Sequence, residues 1–182
     1  MMIVGLCGSL RSKSYNMSAL RACEKLMPAG MTLEIVGLDD IPMYNQDLFD
    51  AGLPPSVRVL RDRIKSADGV LIVTPEYNFS VPAVLKNAID WCSRAPDQSF
   101  QDKPVAIFSA ATGPLGGARV QYDLRRILLP LWGFVLPRPE VFIGCAAEKF
   151  DDAGNLIDAT TAKFIAQLLA SFELWIRRNQ SS

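Results

Sequence analysis

The chain has 182 residues, of which 49% are hydrophobic and 21% charged, a globular composition long enough for one domain with a full core. Its 19 basic and 19 acidic residues cancel to a formal net charge of zero. Because the basic residues are also scattered, no field favours nucleic acid or an anionic membrane, and neither is expected as a partner.

Strands and helices alternate along the first part of the sequence. The apolar run Met2–Cys7 predicts a buried strand, which ends in a loop rich in glycine and serine. Asn16 is predicted to cap a helix with an apolar stripe, and residues 28–30 end that helix. Residues 31–36 alternate as a second strand, and a long connection rich in turn residues follows.

The second part continues the alternation. Residues 56–66 predict an amphipathic helix, and residues 69–74 predict a central parallel strand because they are almost wholly apolar and β-branched. The remaining elements follow in chain order: a helix from near Pro82, a strand at 105–109, a helix at 118–131, a strand at 134–143 that two prolines interrupt, and a closing helix at 159–177.

This alternation predicts an α/β fold in which helices cover both faces of a parallel sheet. No linker or repeat divides the chain, so residues 1–182 are expected to form one domain. Five strands with right-handed crossovers suit a flavodoxin-like three-layer sandwich with strand order 2-1-3-4-5. Ligands in such folds bind beyond the carboxyl ends of the first and third strands, so the loops after those strands are the predicted site.

The loop after the first strand predicts a phosphate site. It leads into a helix N-terminus, whose free N–H groups and positive dipole end attract anions. It adds hydroxyls, an amide and two cations from Ser9, Ser12, Ser14, Asn16, Arg11 and Lys13. The Walker A spacing fails because positions 12 and 7 hold serine and cysteine, and the G-x-G-x-x-G fingerprint is absent. An ordinary solvated helix cap is the alternative.

The loops after the third and fourth strands could enclose a flat ring. The first of them carries two aromatic residues, Tyr77 and Phe79, around Asn78, which tolerates unusual backbone angles. A heteroaromatic ring needs apolar walls and backbone hydrogen-bonding groups along its edge, and this loop offers both. Aromatic residues that merely cover the sheet edge are the alternative. Glycines within 111–117 would let a third loop approach a ligand closely.

Chemistry carried by side chains alone is largely excluded. The chain has no histidine, so Ser-His-Asp and Cys-His systems and His-based metal sites are absent, and no metal is expected. Its four cysteines are widely spaced without a C-x-x-C pair, which favours reduced thiols. The first apolar run predicts a strand rather than a signal peptide, so a cytoplasmic location is expected. The chemistry is therefore expected to come with a cofactor.

Three segments together resemble the NADPH-dependent FMN reductase family, in particular its bacterial quinone- and chromate-reducing branch. They are Gly-Ser-Leu-Arg-Ser-Lys-Ser-Tyr-Asn at 8–16, Thr-Pro-Glu-Tyr-Asn-Phe-Ser-Val-Pro-Ala-Val-Leu-Lys-Asn-Ala-Ile-Asp-Trp at 74–91 and Gly-Gly-Ala-Arg at 116–119. The resemblance implies an enzyme that binds FMN and oxidises NADPH or NADH. It also implies ping-pong reduction of quinones, flavins or similar small acceptors, with chromate and azo compounds as further candidates, and no catalytic side chain.

The resemblance further implies which residues bind FMN. The phosphate would lie against Ser9, Leu10, Arg11, Ser12, Lys13, Ser14, Tyr15 and Asn16. The isoalloxazine edge would be lined, largely through backbone groups, by Pro75, Glu76, Tyr77, Asn78 and Phe79. Its other side would meet Ala111, Thr112 and Gly113. Ser12 and Lys13 stand where the family often has lysine followed by glycine, so Lys13 is expected to approach the phosphate in place of the usual basic residue.

The alternative function is a non-enzymatic electron carrier of the flavodoxin type. Such carriers are usually strongly acidic, whereas this chain is neutral. A binding protein for another phosphorylated ligand is a third possibility. The resemblance implies a homodimer or homotetramer, in which Trp91 and Trp132 are either interface anchors or core residues. The acceptor and the choice between NADH and NADPH stay open.

Overall fold

A computed structural model describes residues 1–180, so the last two residues of the predicted domain, 181–182, lie outside the described range. The strands are β1 (Met2–Cys7), β2 (Thr32–Val36), β3 (Gly69–Val73), β4 (Pro104–Ala110), β5 (Phe134–Val135) and β6 (Phe142–Ile143). The helices are α1 (Tyr15–Leu26), α2 (Gln46–Asp50), α3 (Pro55–Ser66), α4 (Ala83–Cys92), α5 (Ala118–Leu128) and α6 (Ala159–Gln180).

The strands form one parallel sheet in the order β2-β1-β3-β4-β5, which confirms the predicted flavodoxin-like order. Every residue of β3 and β4 is buried, because helices cover both faces of the sheet. One core cluster joins the sheet to α1 and α6, and the other joins it to α3, α4 and α5. Within residues 1–180, none of the helices combines the length and apolar character needed to span a membrane.

The predicted fifth strand is two short strands. Both β5 and β6 pair with β4, the first near its start and the second at its end. Between them lie Pro137 and Pro139, which have no N–H to donate to a strand ladder. The chain therefore leaves the sheet at the prolines and rejoins it at Phe142.

Besides small shifts at the start of α3 and the end of α6, the helices differ from the predictions in three places. Ser14, and not Asn16, is the N-cap of α1, because its hydroxyl accepts a hydrogen bond from the Met17 N–H. The turn-rich connection contains a short helix, α2, that was not predicted. The predicted helix at 118–131 is α5 followed by a 3-10 turn at Leu129–Leu131, where Pro130 lacks the N–H that an α-helix would need.

Candidate active site

The loops after β1, β3 and β4 surround a cavity of about 190 Å³ at the carboxyl edge of the sheet. Most of the predicted cofactor-binding residues line it, namely Ser9, Arg11, Ser14, Tyr15, Asn16, Pro75, Glu76, Tyr77, Ala111 and Thr112. The sequence did not single out Ala110, which also lines it because it is the last residue of β4. The fold thus brings three loops, distant in sequence, to one place.

Other predicted residues lie close by but outside this cavity. Leu10 and Ser12 line a neighbouring cavity towards the end of β2, and Lys13 lines one between the first loop and Phe150. Of the residues predicted to bind the cofactor in the other two loops, three do not line the cavity: Asn78, Phe79 and Gly113. Lys13, which was expected to approach the phosphate, therefore lines a different cavity from the one that most of the predicted residues line.

The first loop presents hydrogen-bond donors at the start of α1. Ser9 and Ser14 are buried at the cavity wall, and the first backbone N–H groups of α1 have no acceptor within the helix. The Arg11 guanidinium donates to the carbonyl of Lys13 and lies 5.6 Å from the centre of the Tyr15 ring. Since Tyr15 stacks on Phe150, this cation is held beside the cavity by a column of side chains.

Asn16 connects the first loop to the third. It is 3% exposed; its Nδ2 donates to the carbonyl of Ala110 at 2.9 Å, and its Oδ1 accepts from the Ala110 N–H at 2.8 Å. These two residues are 94 positions apart in the sequence. The side-chain amide predicted to hold a phosphate therefore bonds to protein backbone, while the backbone N–H of Asn16 still lies in the first turn of α1.

The second loop contains a tight turn. Tyr77 and Ser80 exchange two backbone hydrogen bonds of 3.0 Å, and the residues between them, Asn78 and Phe79, have φ angles of 49° and 67°. Positive φ at both central residues is the pattern of a type I′ turn. The predicted tolerance of Asn78 is used here, but a positive φ at a residue as bulky as Phe79 is uncommon. The turn places Tyr77 on the cavity wall.

Glu76 connects the second loop to α5. Its carboxylate accepts hydrogen bonds from the backbone N–H groups of Arg119 and Val120, at 2.9 and 3.4 Å, and from the Arg119 guanidinium at 2.9 Å. The Arg119 guanidinium also lies 4.2 Å from the centre of the Phe79 ring. The sequence named Arg119 only as part of the motif at 116–119. No local signal indicates that it pairs with Glu76, 43 positions earlier.

The third loop is held at both ends. Ser109 Oγ donates to the carbonyl of Gly116 at 2.6 Å and accepts from Gln121 Nε2 at 2.7 Å. At Gly116, φ is 58°, and a Cβ would lie 2.7 Å from the backbone of Phe142, so this glycine is required by close approach as well as by conformation. Gly113, by contrast, faces open space.

Three of the four cysteines are buried, and none of the four lines the cavity. Cys7, Cys23 and Cys92 are buried, and burial raises the pKa of the Cys92 thiol to about 12. Within the described part of the chain, no group of histidine, cysteine, aspartate and glutamate side chains is arranged to hold a metal ion. What the three loops do present together is a cavity lined by the first turn of α1, Pro75, Tyr77 and the start of the third loop.

Comparison with known proteins identifies the family and its members. The family model described as NADPH-dependent FMN reductase matches residues 1–148. An NAD(P)H-dependent FMN reductase from Pseudomonas aeruginosa is 47% identical over 176 residues, which cover 97% of this chain and 95% of that protein. A quinone reductase from Escherichia coli is 44% identical over 179 residues, which cover 97% and 95%.

A solved structure has the same fold over nearly its full length. The flavoenzyme NAD(P)H:(acceptor) oxidoreductase FerB from Paracoccus denitrificans matches with a TM-score of 0.90 and 36% identity. The match covers 98% of this chain and 98% of that one. With its loops, its sheet and its relatives in agreement, the chain belongs to the NADPH-dependent FMN reductase family.

Proposed function

We propose that this protein is an FMN-dependent oxidoreductase that takes electrons from NADPH or NADH and passes them to quinones, flavins or similar small acceptors. The observation that carries the proposal is the convergence of three loops on one cavity, which both the N-terminus of α1 and Tyr77 line. The names of the matched relatives, an NAD(P)H-dependent FMN reductase and a quinone reductase, support it.

The phosphate of FMN fits the α1 side of this cavity. The backbone N–H groups of Tyr15 and Asn16 stand in the first helical turn, where no intrahelical acceptor exists. The hydroxyls of Ser9 and Ser14 and the guanidinium of Arg11 lie on the same wall. Backbone donors, hydroxyls and one cation are a donor set that suits a phosphate dianion.

The flavin ring fits between the second and third loops. Pro75 and Tyr77 of the second loop line the cavity together with Ala111 and Thr112 of the third. The cavity, at about 190 Å³, is smaller than the roughly 300–1,000 Å³ of pockets that enclose a ligand of this size. FMN held here would therefore extend beyond the cavity, which leaves room for a substrate beside it.

The predicted residues that do not line the cavity belong to the same three loops and support their conformation. Leu10, Ser12 and Lys13 form the outer side of the phosphate loop, with side chains in neighbouring cavities. The type I′ turn is made by Asn78 and Phe79, and Gly113 leaves the third loop open. We assign them supporting roles in cofactor binding rather than direct side-chain contacts.

FMN, when bound, would supply the redox chemistry, namely hydride uptake from NADPH or NADH and electron transfer to the acceptor. The protein's own residues bind and orient. The first loop anchors the phosphate, the Asn16 bridge to Ala110 holds the first and third loops at a fixed separation, and the turn at Tyr77 forms the wall. No side chain is assigned as a general acid.

The proposal includes an assembly of two or four identical chains. Trp91 is fully buried and is therefore a core residue, whereas Trp132 is 61% exposed. Leu129 and Tyr122, on or just after α5, are also exposed apolar side chains. Exposed aromatic and aliphatic residues of this kind are typical of subunit interfaces. A light-scattering mass equal to one chain would contradict this part of the proposal.

The remaining proposals concern organisation and location. The chain is proposed to act as one domain, supported by the single sheet that carries all three loops. It is proposed to work in the cytoplasm, supported by four cysteines that are all unpaired. The location is tested by fractionating cells into cytoplasmic, periplasmic and membrane material and detecting the protein in each fraction with an antibody.

The function is tested by anaerobic absorbance titration of FMN-loaded protein, first with NADPH and then with NADH. Rapid bleaching of the flavin spectrum, and its recovery when a quinone is added, is the expected result. Flavin that stays bound but is reduced by neither nucleotide would favour a flavodoxin-type electron carrier. Failure to retain FMN through gel filtration would overturn the site assignment itself.

A further inference from the structure

The first turn of α5 has no capping side chain of its own. Its N-cap is Gly117, which has a φ of 79° and no side chain to accept a hydrogen bond. A capping side chain normally accepts from the N–H groups of the second and third helical residues. In α5 these residues are Arg119 and Val120, so the helix needs an acceptor from elsewhere.

Glu76 supplies that acceptor from the second loop. One oxygen of its carboxylate accepts from both of these N–H groups, and the side chain is only 12% exposed. A carboxylate at this position also meets the positive end of the helix dipole. A helix that begins in the third loop is therefore capped by a residue of the second loop, and neither loop can shift without breaking the cap.

Arg119 extends the contact to the tip of the second loop. Its guanidinium binds the other oxygen of Glu76 at 2.9 Å and lies over the ring of Phe79. At the far end of the turn, Ser80 Oγ donates to the carboxylate of Asp123 on α5 at 2.6 Å. The second loop thus contacts α5 before its turn, within it and at its last residue.

The turn held by these contacts is strained. Phe79 has a φ of 67°, a left-handed conformation that bulky residues adopt only where their surroundings impose it. The contacts with α5 are the surroundings that impose it here. Because Tyr77 is the first residue of the turn and lines the cavity, the strain and the contacts together determine where that wall stands.

We propose that Glu76 and Arg119 are positioning residues: the Glu76 carboxylate caps α5, and Arg119, stacked on Phe79, locks the turn that presents Tyr77 to the flavin cavity. The inference rests on the proposed function, since it takes the cavity to be the flavin site. It gives the Glu76 side chain a role directed at α5.

The test compares Arg119→Met and Glu76→Ala with the control Lys86→Met. Lys86 matches Arg119 because both side chains are 45% exposed and each binds one carboxylate, at 2.8 and 2.9 Å. It serves as the control because it lies on α4 and its partner, Asp90, is on the same helix. Two quantities are measured on each protein: the dissociation constant of FMN, from flavin fluorescence, and amide hydrogen exchange of residues 77–80 in the FMN-free protein. The KM for a benzoquinone is measured on the FMN-loaded protein.

We expect Arg119→Met to weaken FMN binding and raise the KM about 3- to 10-fold, because it removes one charge-assisted hydrogen bond and one cation–π contact. Exchange at 77–80 should speed up by a similar factor, while kcat at saturation changes less than KM. Glu76→Ala should have a larger effect on all three. Lys86→Met should leave them unchanged.

Two results would overturn the proposal. One is that folded Arg119→Met protein matches wild type in exchange and in FMN affinity; the other is that Lys86→Met shifts them equally, which would indicate general destabilisation. If Glu76→Ala does not fold, Arg119→Met still decides. If neither nucleotide reduces wild-type flavin, the proposed function fails, while the exchange and affinity measurements still test the positioning role.

Discussion

Replacing Asn16 with alanine is expected to destabilise the protein far more than an ordinary asparagine substitution. The side chain is buried and makes two hydrogen bonds, of 2.8 and 2.9 Å, to the backbone of Ala110. Its removal leaves a buried N–H and a buried carbonyl without partners, at about 1–3 kcal/mol each. Partial hydration of the space left behind would reduce the sum, so we expect the free energy of unfolding to fall by about 2–4 kcal/mol.

The assay is urea unfolding of the FMN-free protein, followed by circular dichroism at 25 °C. Asn155→Ala is the matched control, because Asn155 also donates a side-chain hydrogen bond, 2.9 Å long, but does so on the surface. The control should change the free energy of unfolding by less than about 1 kcal/mol. Asn16→Asp should resemble Asn16→Ala, since an aspartate keeps the acceptor for the Ala110 N–H but presents an oxygen to the Ala110 carbonyl.

The result that would refute this reasoning is a loss below about 0.5 kcal/mol for Asn16→Ala with an unchanged urea dependence. The Ala110 groups would then be satisfied by other partners, and the bridge between the first and third loops would be unimportant for stability. FMN affinity should fall together with stability, because the bridge sets the distance between the loops proposed to hold the phosphate and the ring.

Three further predictions follow from the site and the core. Arg11→Gln should weaken FMN binding about 10-fold in a fluorescence titration, because a hydrogen bond to a charged group is lost, and unchanged affinity would remove Arg11 from the phosphate site. Gly116→Ala should lower the free energy of unfolding by about 1–3 kcal/mol, because its Cβ would lie 2.7 Å from the backbone of Phe142. Gly113→Ala should not lower it, because its Cβ would meet nothing within 4 Å. Equal melting temperatures for the two variants would contradict this. Burial raises the pKa of the Cys92 thiol from about 9 to about 12. Below pH 9 the thiol is therefore protonated in both the folded and the unfolded protein. As the pH rises from 9 towards 12 only the unfolded protein ionises, so the free energy of unfolding falls. Thermal unfolding between pH 8 and 10.5 should therefore show a flatter profile for Cys92→Ala than for wild type, and parallel profiles would disprove the assignment.

The strand order and the three loops were predictable because their signals are local. An apolar, β-branched run such as Gly69–Val73 can only be buried on both faces, and its alternation with amphipathic helices leaves few possible topologies. The type I′ turn was partly visible in Asn78, whose residue type tolerates a positive φ. The break in the fifth strand was visible in its two prolines, although where the chain rejoins β4 was not.

Tertiary structure decided how the predicted residues act. Asn16 was a plausible cap and a plausible phosphate ligand, yet its amide binds Ala110, 94 residues away, and Ser14 caps the helix. Glu76 was predicted to line the flavin edge largely through backbone groups, and only the fold shows that its carboxylate caps α5. Hydrogen-bonding side chains have several partners that suit them equally, and only the fold determines which one is within 3 Å. The sequence therefore determined which loops surround the cavity, and long-range packing determined which of their side-chain atoms are already bonded within the protein.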